Sequence, residues 1–335
     1  MQKSTTIFRS ILSLTAILSL GACGGDDISS AVPGTLETPN YDRNSIHTAI
    51  LNQLNLYRTR CGFPALKQNT ILDQAASAHA LYQAHAAAHP DAEIAGNTGF
   101  TGVTYADRAA HFGFPKNSIG WGVSSDNYYL GSLDPNTPLT LRGSQIAKEL
   151  VSDVYQLASV MFPVDTIGIG EYKTESMQPG RWPWDPMERN THSWISMSLL
   201  NTTTQTLAGA PLTFPCEGMM GMSYFTYLRQ GAGYSEVPPP PHGDLWYSAA
   251  PVVVMGNYTD TVRLESASMS SPSGAVNLQI LNSDTDPNHR IGKYQAVAYP
   301  PASLNQGTNY SVQLNGTING TPFSRSFTFK TDGWW

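Results

Sequence analysis

The run Pro238-Pro239-Pro240-Pro241 divides the chain into two kinds of sequence, and this division constrains the fold more than any other feature. Before it, apolar residues recur at helical spacing. Ile46, Ile50, Leu54 and Tyr57 form a stripe behind Ser45, a candidate N-cap, and Cys61-Gly62 ends it. A second stripe follows Asn69 or Thr70: Leu72, Ala75, Ala76, His79, Tyr82 and Ala86. Its alanines favour helix and close packing, and Pro90 stops it. A third, short helix is expected from Thr104, with Asp107 completing a box-like cap, to Gly113. A fourth is expected from about Ser144 to Met161, just before Pro163. Two strand-like runs follow, Thr166 to Gly170 and Ser193 to Leu199. After the prolines the pattern becomes short β-rich runs between Gly, Pro, Asn and Ser turns. They cover Val252 to Met255, Val262 to Ala267, Ala275 to Leu281, Tyr294 to Ala298, Tyr310 to Leu314 and Phe323 to Lys330. Helices and strands followed by strands alone imply an α+β fold ending in a β-sandwich.

The N-terminus has the layout of an export signal. Lys3 and Arg9 precede an apolar run from Ile11 to Leu20, and small residues lead to Cys23. The run is too short to span a membrane as a helix. Leu20-Gly21-Ala22-Cys23 resembles the lipobox of bacterial lipoproteins, in which the cysteine is acylated and becomes the new N-terminus; the plain alternative is an ordinary signal peptide with a chance cysteine. The lipoprotein reading makes 1–22 a signal, Cys23 the lipidation site and 23–44, rich in Gly, Asp, Ser, Pro and Thr, a flexible tether. Domains are expected at 45–237 and 238–335. Gly24, rather than Asp, after the cysteine points to the outer membrane. The membrane is thus a partner through lipid.

Removing the signal takes the net charge from −6 to −8, with 17 basic and 25 acidic residues left in a 313-residue mature chain. In an acidic chain with 13% charged residues nothing points to a nucleic-acid or anionic-membrane surface as its partner. Cys61 and Cys216 are left for a disulfide, which an oxidising compartment favours, or for two buried thiols. The proline run is either an extended linker or packed on the first domain. Leu304-x-x-Gly307-x-x-Tyr310, ahead of a strand run, looks like a tyrosine corner and suits an immunoglobulin-like Greek key.

Several elements then occur in a recognisable order. They are Leu54-Asn55-Leu56-Tyr57-Arg58, Pro64-Ala65-Leu66, Leu72-x-x-Ala75-Ala76-x-x-His79-Ala80 and His89. Gly99-Phe100-Thr101-Gly102, Asp107-Arg108-Ala109, His111-Phe112-Gly113-Phe114, Val154-Tyr155 and Ile167-Gly168-Ile169-Gly170 follow. From Ile46 to Leu200 this resembles the CAP superfamily of cysteine-rich secretory, antigen 5 and plant pathogenesis-related proteins, in its bacterial SCP-like branch. The resemblance implies an α-β-α sandwich, and the C-terminal part is similar to the immunoglobulin-like domains that follow such modules.

The family's cavity carries two histidines and two glutamates able to hold a divalent metal. By the resemblance, His89 matches the first histidine, Trp121 replaces a glutamate and Gln156 replaces the second histidine; Glu149 stands near the other glutamate. Indole cannot ligate a metal and a neutral amide is a poor zinc ligand. The expected cavity is therefore a binding pocket of His89, Trp121, Gln156 and Arg108, with no metal and no cofactor. A local alternative is a metal triad of His85, His89 and Glu93 at helical spacing, which Pro90 interrupts. His79 reads as a hydrogen-bonded core histidine, and Arg108 braces a loop or meets a ligand carboxylate. Trp182 and Trp184 either stack on a sugar or pack under a loop. Gly-x-Ser-x-Gly is absent. The function expected is a lipid-anchored envelope module that binds a lipid, a glycan or another envelope component. The alternatives are a hydrolase of peptide or cell-wall substrate and a purely structural or adhesive module.

Overall fold

Local capping chemistry sets the first three helices. In the computed structural model, which describes residues 32–86, 91–129, 138–179, 184, 186–228 and 246–332, α1 (Ile46–Arg60) starts on Ser45, whose hydroxyl accepts from the Thr48 amide. Asn69 caps α2 (Thr70–His85) through the Ile71 and Leu72 amides. Thr104 and Asp107 cap α3 (Tyr105–His111) reciprocally. Each cap satisfies amides that the first turn leaves open, so the signal is readable in a few residues. Helix α2 ends at His85, ahead of the point that Pro90 suggests. The single helix expected over 144–161 is two, α4 (Leu139–Leu150) and α5 (Val154–Val160). Asp153 divides them by accepting from the Tyr155 and Gln156 amides as a new N-cap.

The N-terminal half is built on one sheet ordered β1 (Lys67–Gln68), β3 (Thr166–Gln178), β4 (Glu188–Asn201), β2 (Ile119–Tyr129). β1 runs parallel to β3 and the other pairs are antiparallel. Helix α2 lies on β3 and β4. A Cβ added to Gly168 or Gly170 would sit 2.0 or 2.1 Å from α2 backbone atoms, so both glycines are required for this approach. On the opposite face Val123, Ile167, Ile169, Ile195, Met197 and Leu199 are buried in one cluster with residues of α1, α4 and α5. Strand β2 has no sequence counterpart among the expectations, because Gly120, Gly122, Ser124 and Ser125 are weak strand formers. Its ladder with β4, from Ile119 opposite Asn201 to Tyr129 opposite Thr191, supplies the order that propensity does not.

The C-terminal half has two facing sheets. One is ordered β5 (Leu212–Phe214), β9 (Val252–Met255), β13 (Gln295–Tyr299), β12 (Gln279–Asn282). The other is ordered β11 (Gly274–Val276), β10 (Val262–Ser271), β14 (Asn309–Ile318), β15 (Thr321–Thr331), β6 (Met219–Met222), with β6 parallel to β15. A separate pair joins β7 (Thr226–Leu228) and β8 (Trp246–Ser248). The run Ala275 to Leu281 thus divides between two sheets. β5 and β6 precede residue 238 in sequence, yet they pair with strands of this half, which begins near Leu212. The Tyr310 hydroxyl accepts from the Asn305 amide at 2.7 Å, the bond that the spacing before Tyr310 suggests.

The halves share one core. Ile50, Leu54 and Leu157 belong to the same apolar cluster as Val253, Val297 and Leu314, and Val32–Trp335 is one compact unit. The Cys61–Cys216 disulfide, with Cα atoms 5.5 Å apart, ties the end of α1 to the β5–β6 connection. Residues 32–44, expected in the tether, are attached to the fold: Val32 is buried, Leu36 N–H donates to the Gln68 carbonyl, and Tyr41 donates to Asp73. Among the described residues no helix is long and apolar enough to cross a membrane. Cys23 and the proline run lie outside the described residues.

Candidate functional site

A buried polar cluster sits where α2, the segment 91–104 and α3 meet. Helical spacing carries His79 inward from α2, and the cap at Thr104 sets the start of the helix that carries Arg108. Glu93 is buried between them. Its carboxylate accepts from the amides of Thr101 (2.6 Å) and Gly102 (3.2 Å) and from His79 Nδ1 (2.9 Å). Burial opposes its charge, but the bonds from His79 and Thr101, with Arg108 nearby, hold its pKa below the ordinary carboxylate value. An ionised Glu93 fixes the proton of His79 on Nδ1 and leaves Nε2 with the lone pair. Burial first, then the Arg108 charge, push the His79 pKa down, so the ring is neutral at pH 7.

This pair has the chemistry of an oriented base but not the access of one. His79 Nε2 is buried and has no hydrogen-bond partner among the described residues. The ring is stacked with Tyr82 and lies edge-on to Tyr105. Arg108 is also enclosed. It donates to the carbonyls of Gly102 (3.3 Å), Val103 (3.0 Å) and Asp91 (3.2 Å), and lies over the Tyr105 ring at 4.2 Å. The guanidinium braces a loop, one of the two roles expected for it. Tyr105 donates to Asp91 and meets the Ser124 hydroxyl at 3.0 Å.

Of the four residues expected to line one cavity, Arg108, Trp121 and Gln156 are described, and they do not converge on one face of the sheet. A Cβ on Gly122 would touch the Tyr105 ring, so Gly122 and Ser124 face α3. By strand alternation Trp121 and Val123 face the other way, toward the large core. Arg108 and Trp121 are therefore on opposite faces of the sheet. Trp121 Nε1 donates to the Tyr294 hydroxyl of the C-terminal half at 2.9 Å. Gln156 Nε2 donates to the Ser124 carbonyl at 3.3 Å. His89 lies outside the described residues.

Residues 286–294 reinforce this closure. Tyr155 donates to Asp286, Asn288 Nδ2 donates to the Tyr155 hydroxyl at 3.0 Å, and Arg290 lies 3.7 Å from Asp91. Phe162, Tyr258 and Tyr294 form an aromatic cluster across the same contact. Sequence reasoning missed these partners because the bonds of Trp121 and Tyr155 and the Arg290–Asp91 pair each join residues more than a hundred positions apart.

The alternative triad does not assemble in the described residues. His85 is exposed, with its ring 6.1 Å from that of Tyr172, whereas Glu93 turns back onto His79. The helix ends at His85, so the i, i+4, i+8 spacing has no helical face to act on. Among the described residues no group of three His, Cys, Asp or Glu is placed to hold a metal. Glu149 is exposed and accepts from Gln145 at 3.1 Å. Trp184 is 78% exposed and Trp182 lies outside the described residues. No protein-family model matches this chain. A search of curated proteins finds no match either.

Proposed function

We propose that this protein is a lipid-anchored cell-envelope module that binds or positions an envelope component and performs no chemistry of its own. In this reading the N-terminal half is a CAP-like α-β-α sandwich with a degenerate metal tetrad, and the C-terminal half is immunoglobulin-like. Helices on both faces of the antiparallel sheet support the first assignment. The strand orders β5-β9-β13-β12 and β11-β10-β14-β15-β6, with the Tyr310 corner, support the second. The observation that carries the functional reading is the bond from Trp121 to Tyr294. A residue expected in the cavity wall is used to hold the other half of the molecule, so a working surface has to be sought elsewhere. Export and anchoring rest on the sequence from Lys3 to Cys23 and on acylation at Cys23, with Gly24 favouring the outer membrane.

Cell fractionation tests the anchor. Cys23→Ala is expected to stall processing or to release the protein from the membrane fraction. Unchanged maturation and membrane partitioning in this variant would refute the lipoprotein assignment.

A further inference from the structure

The outer face of the β10-β14-β15 sheet carries an array of small hydroxyl and amide side chains. Ser268, Gln313 and Ser326 stand opposite one another in one rung, and Ser270, Ser311 and Thr328 in the next. Ser266, Asn315 and Ser324 continue the array. Strand geometry spaces these side chains about 4.8 Å apart across strands and about 7 Å along them. The two complete rungs border an open groove of about 380 Å³ with Glu217 at its margin, within the range of small-molecule sites. All six rung residues are exposed, while Val312 and Phe327 between them point into the core.

Within the groove Thr328 is bonded to Glu217, but Ser268, Ser270, Ser311, Gln313 and Ser326 make no side-chain hydrogen bond to other described residues. Their donors and acceptors are available together. Hydroxyls and amides both donate and accept, so they match a ligand whose groups also do both. The two rungs carry no charge and the carboxylate at the margin, Glu217, repels an anion, so an anionic ligand gains no ion pair there to offset its desolvation. They also carry none of the Trp, Tyr or Arg anchors that dominate protein–protein interfaces. Serine side chains lose little rotamer entropy on binding.

We infer that this face is a binding site for an uncharged glycan chain, held by hydroxyl and amide hydrogen bonds across β10, β14 and β15. The inference deepens the binding-module reading and rests on it, though not on the lipid anchor.

The test is calorimetric titration of the purified mature protein in detergent. Cellohexaose and chitohexaose serve as neutral probes and polygalacturonate as an anionic one. Saturable binding of at least one neutral hexasaccharide is expected, with polygalacturonate weaker. The double variant Ser311→Ala/Gln313→Ala should weaken binding about tenfold, the combined effect of two or so ordinary hydrogen bonds. Ser268→Arg, which fills the groove, should weaken it further. Thermal unfolding identifies any variant that loses its fold, and the other variant then decides. The inference is overturned if neither hexasaccharide binds, if both folded variants bind as well as the unaltered protein, or if the polyanion binds equally well. Sedimentation with insoluble, delipidated cell-wall material separates the two readings. Sedimentation without hexasaccharide binding, unaffected by Ser268→Arg, removes the glycan face and keeps the binding module. Failure of both assays removes both.

Discussion

Two regions of the molecule deploy polar side chains in opposite ways. In the buried knots of the N-terminal half they are turned inward and bonded within the fold. Arg58 is fully buried and donates to the carbonyls of Pro64 (2.8 Å), Val160 (2.6 Å), Phe162 (3.0 Å) and Val164 (2.7 Å). Burial lowers its pKa to about 9, with Asp165 opposing, so it is still cationic at neutral pH. Glu93, His79 and Arg108 form the second such knot. On the outer sheet of the C-terminal half, small hydroxyls stand exposed and few have internal partners. A buried polar group left unpaired is costly, whereas an exposed serine exchanges water for ligand with little change. The first arrangement therefore specifies the fold, and the second leaves a surface available for binding.

Arg58→Met tests the first side of this contrast most severely. It leaves several buried carbonyls without a donor and should lower unfolding free energy by about 4 kcal/mol in chemical denaturation. A loss below 1 kcal/mol, within the scatter of surface substitutions, would mean that Arg58 is not a structural knot.

The His79 cluster should reveal itself through pH. Its folded pKa is depressed, so above the unfolded value of about 6.5 the full stability is present. As pH falls through 6.5 the unfolded chain takes up the proton first, and stability is lost until the folded pKa is passed. This one group supplies a slope of at most about 1.4 kcal/mol per pH unit. His79→Gln should remove its share, leaving that of His47, whose pKa burial also lowers. An unchanged slope between pH 7 and 5 in the variant would show that His79 is not held neutral. The depressed Glu93 pKa adds a second loss in the same direction at lower pH, below its ordinary value of about 4.5.

The smallest effect sharpens the contrast from the other side. Ser311→Ala with Ser326→Ala should change stability by no more than about 0.5 kcal/mol, because both hydroxyls are exposed and make no internal bond. A cost approaching that of Arg58→Met would erase the distinction between the buried knots and the outer sheet.

Legibility in the sequence followed the range of the interactions. Caps at Ser45, Asn69 and Thr104 and the corner at Tyr310 involve neighbours at most five residues apart, and each is readable from spacing. The Cys61–Cys216 pairing, though distant, is one of two alternatives that a count of the cysteines offers, and the structure forms it. Asp153 shows the limit of periodicity: an apolar stripe that reads as one helix is divided by a side chain that caps better than it continues. Strand β2 and the membership of β5 and β6 were not legible, because a strand's partner is set by the sheet it joins.

By itself, the sequence determined the α+β class, the starts of the first three helices, the two cysteines available for a disulfide, and the inward placement of His79. These depend on local chemistry or on a short inventory of residue types. Tertiary structure alone decided that Trp121 and Arg108 lie on opposite faces of one sheet. It also decided that Glu93 turns back to His79 and that six small polar residues align in two rungs across three strands. Each of these is a juxtaposition of distant segments, fixed by strand register and by core packing, and neither is encoded in any window of neighbouring residues.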